Sequence, residues 1–148
     1  MHRIEHAVEI DASPDEVFAH LVEGERRLRW MGALRETEQL TDGPPEVGSR
    51  WRDVFEELGQ RVELEAEVAV YEPPRHLLVR LSSRAADATS EQHLESTNGR
   101  TRLTTAIETE YKSFLARHGA VIVTHLAQRQ LEADLATLKG LVESEAVG

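Results

Sequence analysis

Residues 131–143, Leu-Glu-Ala-Asp-Leu-Ala-Thr-Leu-Lys-Gly-Leu-Val-Glu, decide how the rest of the chain is read. Leu131, Leu135, Leu138 and Val142 recur at intervals of four, three and four residues, which places them on one stripe of a helix. Glu132 and Asp134 fall off that stripe. A helix with a single apolar stripe needs one apolar surface to lie on. The spacing predicts this helix between about Gly119 and Glu143. Traced backwards, the stripe meets Gln128 or Ala127, then Thr124, then Ala120. Its C-terminal half is therefore leucine and its N-terminal half small or polar. Ile122 and Leu126 fall opposite the stripe in a straight helix, and their exposure would favour a homodimer.

The partner surface is upstream. Val62, Leu64, Ala66, Val68 and Val70 alternate with Glu63, Glu65 and Glu67, the pattern of a strand with one buried and one wet face. Similar alternation predicts strands at Ile4–Ile10, Leu34–Leu40 and Val47–Glu56. It also predicts one around Leu77, Val79 and Leu81, one at Thr89–Thr97, and one carrying Leu103, Thr105, Ile107, Thr109 and Tyr111. Leu58-Gly59-Gln60 and Asn98-Gly99 read as hairpin turns, the second being the strongest such signal in the chain. Consecutive strands on hairpin-length turns imply an antiparallel sheet. Between the first two strands, Ser13-Pro14-Asp15-Glu16 reads as a helix cap followed by a first turn. That helix carries Val17, Phe18 and Leu21, and Glu25–Trp30 reads as a second, short one. The expected fold is α+β: two short helices between strands 1 and 2, then a seven-stranded antiparallel sheet wrapped around a long C-terminal helix.

Composition narrows function. At 148 residues the chain fits one domain, 1–148. It carries 17 basic and 27 acidic residues, a net charge of −10, which argues against nucleic acid or anionic membrane as partner. There is no cysteine, which excludes disulfides, thiol catalysis and thiolate metal ligands. No apolar run approaches the ~20 residues of a membrane span, and Met1–His6 has no apolar signal region. A cytoplasmic protein without membrane insertion is the expectation.

The order of elements and its local signatures resemble the START-like (SRPBCC, helix-grip) superfamily, and within it the polyketide cyclase/dehydrase family. The matching stretches are Ala12-Ser13-Pro14-Asp15-Glu16-Val17-Phe18, Trp30, Val47-Gly48-Ser49-Arg50 and Tyr71-Glu72-Pro73-Pro74-Arg75. Gly99-Arg100-Thr101-Arg102-Leu103 and Asp134-Leu135-Ala136-Thr137-Leu138-Lys139, ahead of Val142-Glu143, complete the set. The resemblance implies a cavity between sheet and final helix for lipids, sterols, polyketides or plant hormones. It includes carriers as well as cyclases and dehydratases, so fold does not choose between binding and catalysis.

The residues themselves support a ligand cavity. A sheet facing leucines at one end of the helix and small residues at the other leaves room at the small end. The expected lining is Trp30, Trp51, Phe55, Leu64, Val79, Leu103, Thr105, Ile107, Thr109, Tyr111 and Thr124, with the opening near Trp30. The bland alternative is that Trp51, Phe55 and Tyr111 fill the space. Asp53, between Trp51 and Phe55, and the inward His6 are the candidate acid–base pair. Their alternatives are a bulge that turns Asp53 to solvent and a hydrogen-bonded core histidine.

Arg26, Arg27 and Arg29 read as a solvated helix face or an acidic-headgroup clamp. No metal or cofactor is expected. His118 and His125 are seven apart, His93 points outward, and there is no His-x-x-x-His, phosphate-binding glycine loop or nucleophile elbow. The first functional expectation is binding or transport of a hydrophobic small molecule. The second is a polyketide cyclase, aromatase or dehydratase. The third is a protein-interaction module, such as a chaperone partner or toxin–antitoxin component. Whether the chain is an enzyme stays open at this point.

Overall fold

A computed structural model describes residues 1–113 and 117–147. The elements are β1 (His2–Ile10), α1 (Pro14–Val22), α2 (Gly24–Arg27), β2 (Leu34–Gln39), β3 (Arg50–Glu57), β4 (Gln60–Glu72), β5 (His76–Ser82), β6 (Ala86–Thr97), β7 (Arg100–Tyr111) and α3 (Ala120–Val147). The strands form one sheet in the order β1-β7-β6-β5-β4-β3-β2, antiparallel throughout. The expected fold is the observed one.

Local chemistry explains the punctuation. Ser13 caps α1, its hydroxyl accepting from the Glu16 backbone N–H at 3.3 Å. Asn98 and Gly99 both have positive φ, 51° and 80°, the backbone that a two-residue hairpin of matching twist requires.

Several boundaries differ from the sequence reading, among them α2, which ends at Arg27 and not at Trp30. β3 starts at Arg50 instead of Val47, because Gly48 turns to φ 93°. β6 starts at Ala86, ahead of Thr89, since Ala86, Asp87 and Ala88 pair with Tyr111, Glu110 and Thr109. These residues lack an apolar alternation and gave no signal. α3 runs on to Val147, past Glu143.

The leucine stripe does face the sheet: Leu131, Leu135, Leu138 and Val142 are all buried and join Ile4, Ile10, Leu77, Leu94 and Leu103 in one core. α3 also lies along the edge strand β1. Lys139 Nζ donates to Glu9 O at 2.7 Å and Gln128 Nε2 to Glu5 O at 3.1 Å. The Asp11 N–H donates to Glu143 at 2.8 Å. The first two contacts satisfy carbonyls that an edge strand would otherwise leave open, and the third satisfies the amide just beyond the strand. On the other side, the Gly32 N–H donates to Asp134 Oδ1 at 3.0 Å. Burial raises the Asp134 carboxyl above its ordinary value, while the Gly32 and Gln130 hydrogen bonds oppose the shift.

Ile122 and Leu126 are exposed, together with Val121. The opposite-face reading of the helix therefore holds. Among the described residues, no helix is long and apolar enough to cross a membrane.

Candidate functional site between sheet and final helix

The inner face of the sheet can be followed through its register. One row runs His6, Thr105, Gln92, Leu77 across β1, β7, β6 and β5. The next runs Ile4, Ile107, Ser90, Val79, Val68, and the one after it His2, Thr109, Ala88, Leu81, Ala66, Trp51. Burial changes along this face. Leu77, Leu94 and Leu103 lie sealed beneath the leucine half of α3. Leu64, Val79, Leu81, Ile107, Thr109 and Tyr111 remain half-buried, as do Phe55 and, on the helix, Thr124 and Ala127. Apolar side chains that face the helix and still reach solvent mark the end where helix and sheet are not in full contact.

Of the expected lining, Phe55, Leu64, Val79, Ile107, Thr109, Tyr111 and Thr124 fall in this half-open region. Trp51, Leu103 and Thr105 lie on the same face but are closed over, at 5%, 0% and 2% exposure. Trp30 is 5% exposed, and its indole N–H donates to His20 O at 2.9 Å. It staples the segment after α2 onto α1, so it does not frame an opening.

The His6–Asp53 pair does not form. β7, β6, β5 and β4 separate β1 from β3 in the sheet. Asp53 is buried and its carboxylate is already engaged. Arg27 Nη1 donates to Oδ2 at 2.8 Å, Arg27 Nη2 to Oδ1 at 3.0 Å, and the Thr37 hydroxyl to Oδ1 at 2.6 Å. A carboxylate holding a bidentate guanidinium and a hydroxyl is a structural anchor, not a free base. Arg27 is thereby removed from the solvated or headgroup-binding helix face expected for Arg26, Arg27 and Arg29: it is 8% exposed. The alternation of β3 did place Asp53 inward. The cation that meets it closes a short helix with no apolar pattern to mark Arg27 as buried.

Two features of the inner face escaped the sequence reading. Gln92 Oε1 and Thr105 Oγ1, neighbours in one row, are buried without a hydrogen-bond partner among the described residues. The Gln92 amide N–H₂ is used, donating to Ser90 Oγ at 3.1 Å. Buried polar atoms are ordinarily paired, and an orphan costs ~1–3 kcal/mol.

The second feature is at the half-open end. Glu57 continues the inward set Trp51, Asp53, Phe55 of β3. It is an exposed residue, yet the protein around it raises its carboxyl above the ordinary value by desolvation. Desolvation also raises the Tyr111 phenol; a hydrogen bond with Thr124 opposes this, and the nearby Glu57 charge adds to it. β7 and α3 therefore bring a phenol and a hydroxyl together at the half-open end, and the Glu57 carboxyl on β3 is near enough for its charge to act on the phenol.

The family described as "Polyketide cyclase / dehydrase and lipid transport" matches residues 1–143. The chain belongs to this family. Among solved structures, a START superfamily protein from Mycobacterium smegmatis is similar at 19% identity and TM-score 0.81, over 97% of this chain and 99% of that one. The Zhui aromatase/cyclase from Streptomyces sp. R1128 is 17% identical with TM-score 0.81, over 96% and 93% of the two chains. A protein from Thermus thermophilus is 15% identical with TM-score 0.83, over 98% and 99%. At these identities the likeness establishes the fold. No curated protein matches the chain. Family and fold fit a hydrophobic-ligand or cyclase/dehydrase role, and the side chains have to narrow it.

Proposed function

We propose that this family member binds an apolar small molecule carrying at least one polar group, held between the inner face of the sheet and α3, from the half-open end inward to the row of Gln92 and Thr105. The observation that carries this reading is the orphaned pair Gln92 Oε1 and Thr105 Oγ1. Around them the wall is aliphatic: Ile4, Leu77, Leu94 and Leu103 are buried, with Ile107 and Val79 half-buried. Such a wall supplies affinity through burial, and a few fixed polar groups supply orientation. A carbonyl accepts and cannot satisfy Gln92 Oε1, so the matching ligand group is a hydroxyl or another N–H or O–H donor. The Thr105 hydroxyl can donate or accept. The unfinished hydrogen bonds therefore favour a hydroxylated lipid or a phenolic polyketide over a plain hydrocarbon.

The test is Thr124→Phe, which adds a ring at the half-open end of α3. Uptake of a fluorescent apolar probe should be lost while the circular dichroism spectrum stays that of the native protein. Unchanged probe affinity in that folded variant would remove the interior from consideration and favour the interaction-module reading. Native mass spectrometry of the purified protein should show a retained molecule of the hydroxylated class.

A second reading, cyclase or dehydratase chemistry, is favoured by the Glu57–Tyr111–Thr124 grouping. Water loss needs a base for a carbon-bound proton and an acid for the departing hydroxyl. A carboxyl whose pKa lies above its ordinary value gives up its proton less readily and is the better base once ionised, so it can serve either role. In this reading Glu57 replaces the His6–Asp53 pair as the proton-transfer group. Tyr111 positions the substrate oxygen, with its own hydroxyl oriented by Thr124. Glu57→Gln should then reduce turnover of an aromatic polyketide intermediate by ~10²–10⁴ with binding nearly intact. Equal turnover in both proteins would leave only the binding role.

A further inference from the structure

The outer face of the sheet, away from the helix, carries a cluster that the binding reading does not use. His76 on β5 and His93 on β6 are direct register partners. Their rings stack with centroids 4.3 Å apart and planes 13° from parallel. Both Nε2 atoms point at Glu91 Oε2, at 2.6 Å from His76 and 3.3 Å from His93. All three side chains are at least partly accessible. We propose that His76, His93 and Glu91 form a surface binding site for one zinc ion.

The donor chemistry fits. Two imidazole nitrogens and one carboxylate oxygen, with a fourth position left to water, are a familiar open ligand set for Zn²⁺. The one potential ligand atom of each residue lies within 4.8 Å of the other two. In a tetrahedral site with bonds of about 2.0–2.2 Å, ligand atoms sit roughly 3.3–3.5 Å apart. Small side-chain rotations would bring the three groups to that spacing. The backbone needs no change, because β5 and β6 already hold the two imidazoles side by side. Hard oxygen-seeking cations such as Mg²⁺ or Ca²⁺ would find only one carboxylate here.

The surroundings supply a second, independent feature. Glu72 Oε1 lies 3.3 Å from His76 Nδ1, on the side of the ring away from Glu91. A carboxylate accepting from Nδ1–H fixes the ring and leaves Nε2 as the lone-pair donor, the arrangement that supports metal-bound histidines. The sequence pattern concealed this site. Glu91-x-His93 contributes two ligands from one strand, and the third arrives through strand pairing with His76. No linear spacing rule covers that case.

The experiment uses the untagged full chain, stripped with chelator and titrated with ZnCl₂ by isothermal calorimetry. One equivalent should bind. His93→Ala and His76→Gln should each weaken that binding at least tenfold, and Glu72→Gln by roughly 10–100-fold. His118→Ala and His125→Ala, which alter histidines elsewhere, should leave it unchanged. His93 is the most exposed of the three, with 54% of its side chain accessible, so its replacement tests the ligand set in a folded protein. Circular dichroism checks the fold of every variant. Absence of binding, or zinc binding that persists undiminished in folded His93→Ala, would overturn the proposal. Uptake of the apolar probe should be the same with and without zinc, which keeps this test separate from that of the interior site.

Discussion

Arg27 and Asp53 form a bidentate ion pair inside the protein, with 10% and 2% of their side chains accessible. It links α2 to the middle of β3, and Thr37 on β2 closes the arrangement by donating to the same carboxylate. Two charges taken from water gain little net stability as a pair, but either one left alone costs several kcal/mol.

Arg27→Met should therefore destabilise the protein by about 3–5 kcal/mol, because Asp53 is left charged and unpaired. The double variant Arg27→Met/Asp53→Leu should be more stable than Arg27→Met. Urea denaturation of the three proteins measures this directly. A double variant weaker than the single would show that the pair is valued for more than mutual neutralisation.

The same pair shows where sequence reasoning stops. Strand alternation placed Asp53 inward, and periodicity placed the leucine stripe of α3 on the sheet, because both follow from geometry within one element. The partner of Asp53 comes from a helix too short to show a period, so Arg27 looked like one charge in a row of three. Thr105 was legible as an inward residue, but the lack of partners at Thr105 and Gln92 depends on what α3 brings opposite them. Glu57 lay just past the predicted end of β3. His76 and Glu91 meet only through the β5–β6 register.

The stripe itself can be tested against its back face. Leu138 is fully buried and Leu126 is 39% exposed. Leu138→Ala should cost about 2–5 kcal/mol through lost burial and the cavity left behind. Leu126→Ala should stay within roughly 0.5 kcal/mol. Thermal melts at one protein concentration compare them, and similar losses at both positions would mean that the outer face is covered in solution.

Glu57 gives a pH dependence with a definite sign. Its folded-state pKa is raised from 4.5, and desolvation is the cause. A raised carboxyl favours the folded state while protonated, and that contribution is lost as pH rises through the folded value. At neutral pH the ionised side chain therefore opposes folding, and Glu57→Gln should be the more stable protein. The advantage should disappear as pH falls to the ordinary carboxylate range. Urea midpoints of both proteins from neutral to acid pH would show it, and a difference independent of pH would mean that Glu57 is as solvated in the folded chain as in the unfolded one.

Thr105 separates stability from recognition. Its hydroxyl is buried at 2% exposure and has no hydrogen-bond partner among the described residues. Valine has nearly the same shape without the polar atom. If the hydroxyl served the fold, Thr105→Val would destabilise. Because it is unpaired, the substitution should be neutral or stabilise by up to ~1–3 kcal/mol, the cost of the orphaned group. A bound donor group changes the comparison. It would lose its partner in the variant and be left desolvated, whereas a plain hydrocarbon would lose nothing. Thr105→Val should therefore bind an unsubstituted apolar probe as the parent does, and a hydroxylated analogue of the same probe roughly tenfold less tightly, as expected for ~1.4 kcal/mol. Fluorescence titration with the matched probes reads both affinities in one protein. Equal weakening for the two probes would point to altered packing. Equal affinities for both probes in parent and variant would show that the ligand's polar group is held elsewhere.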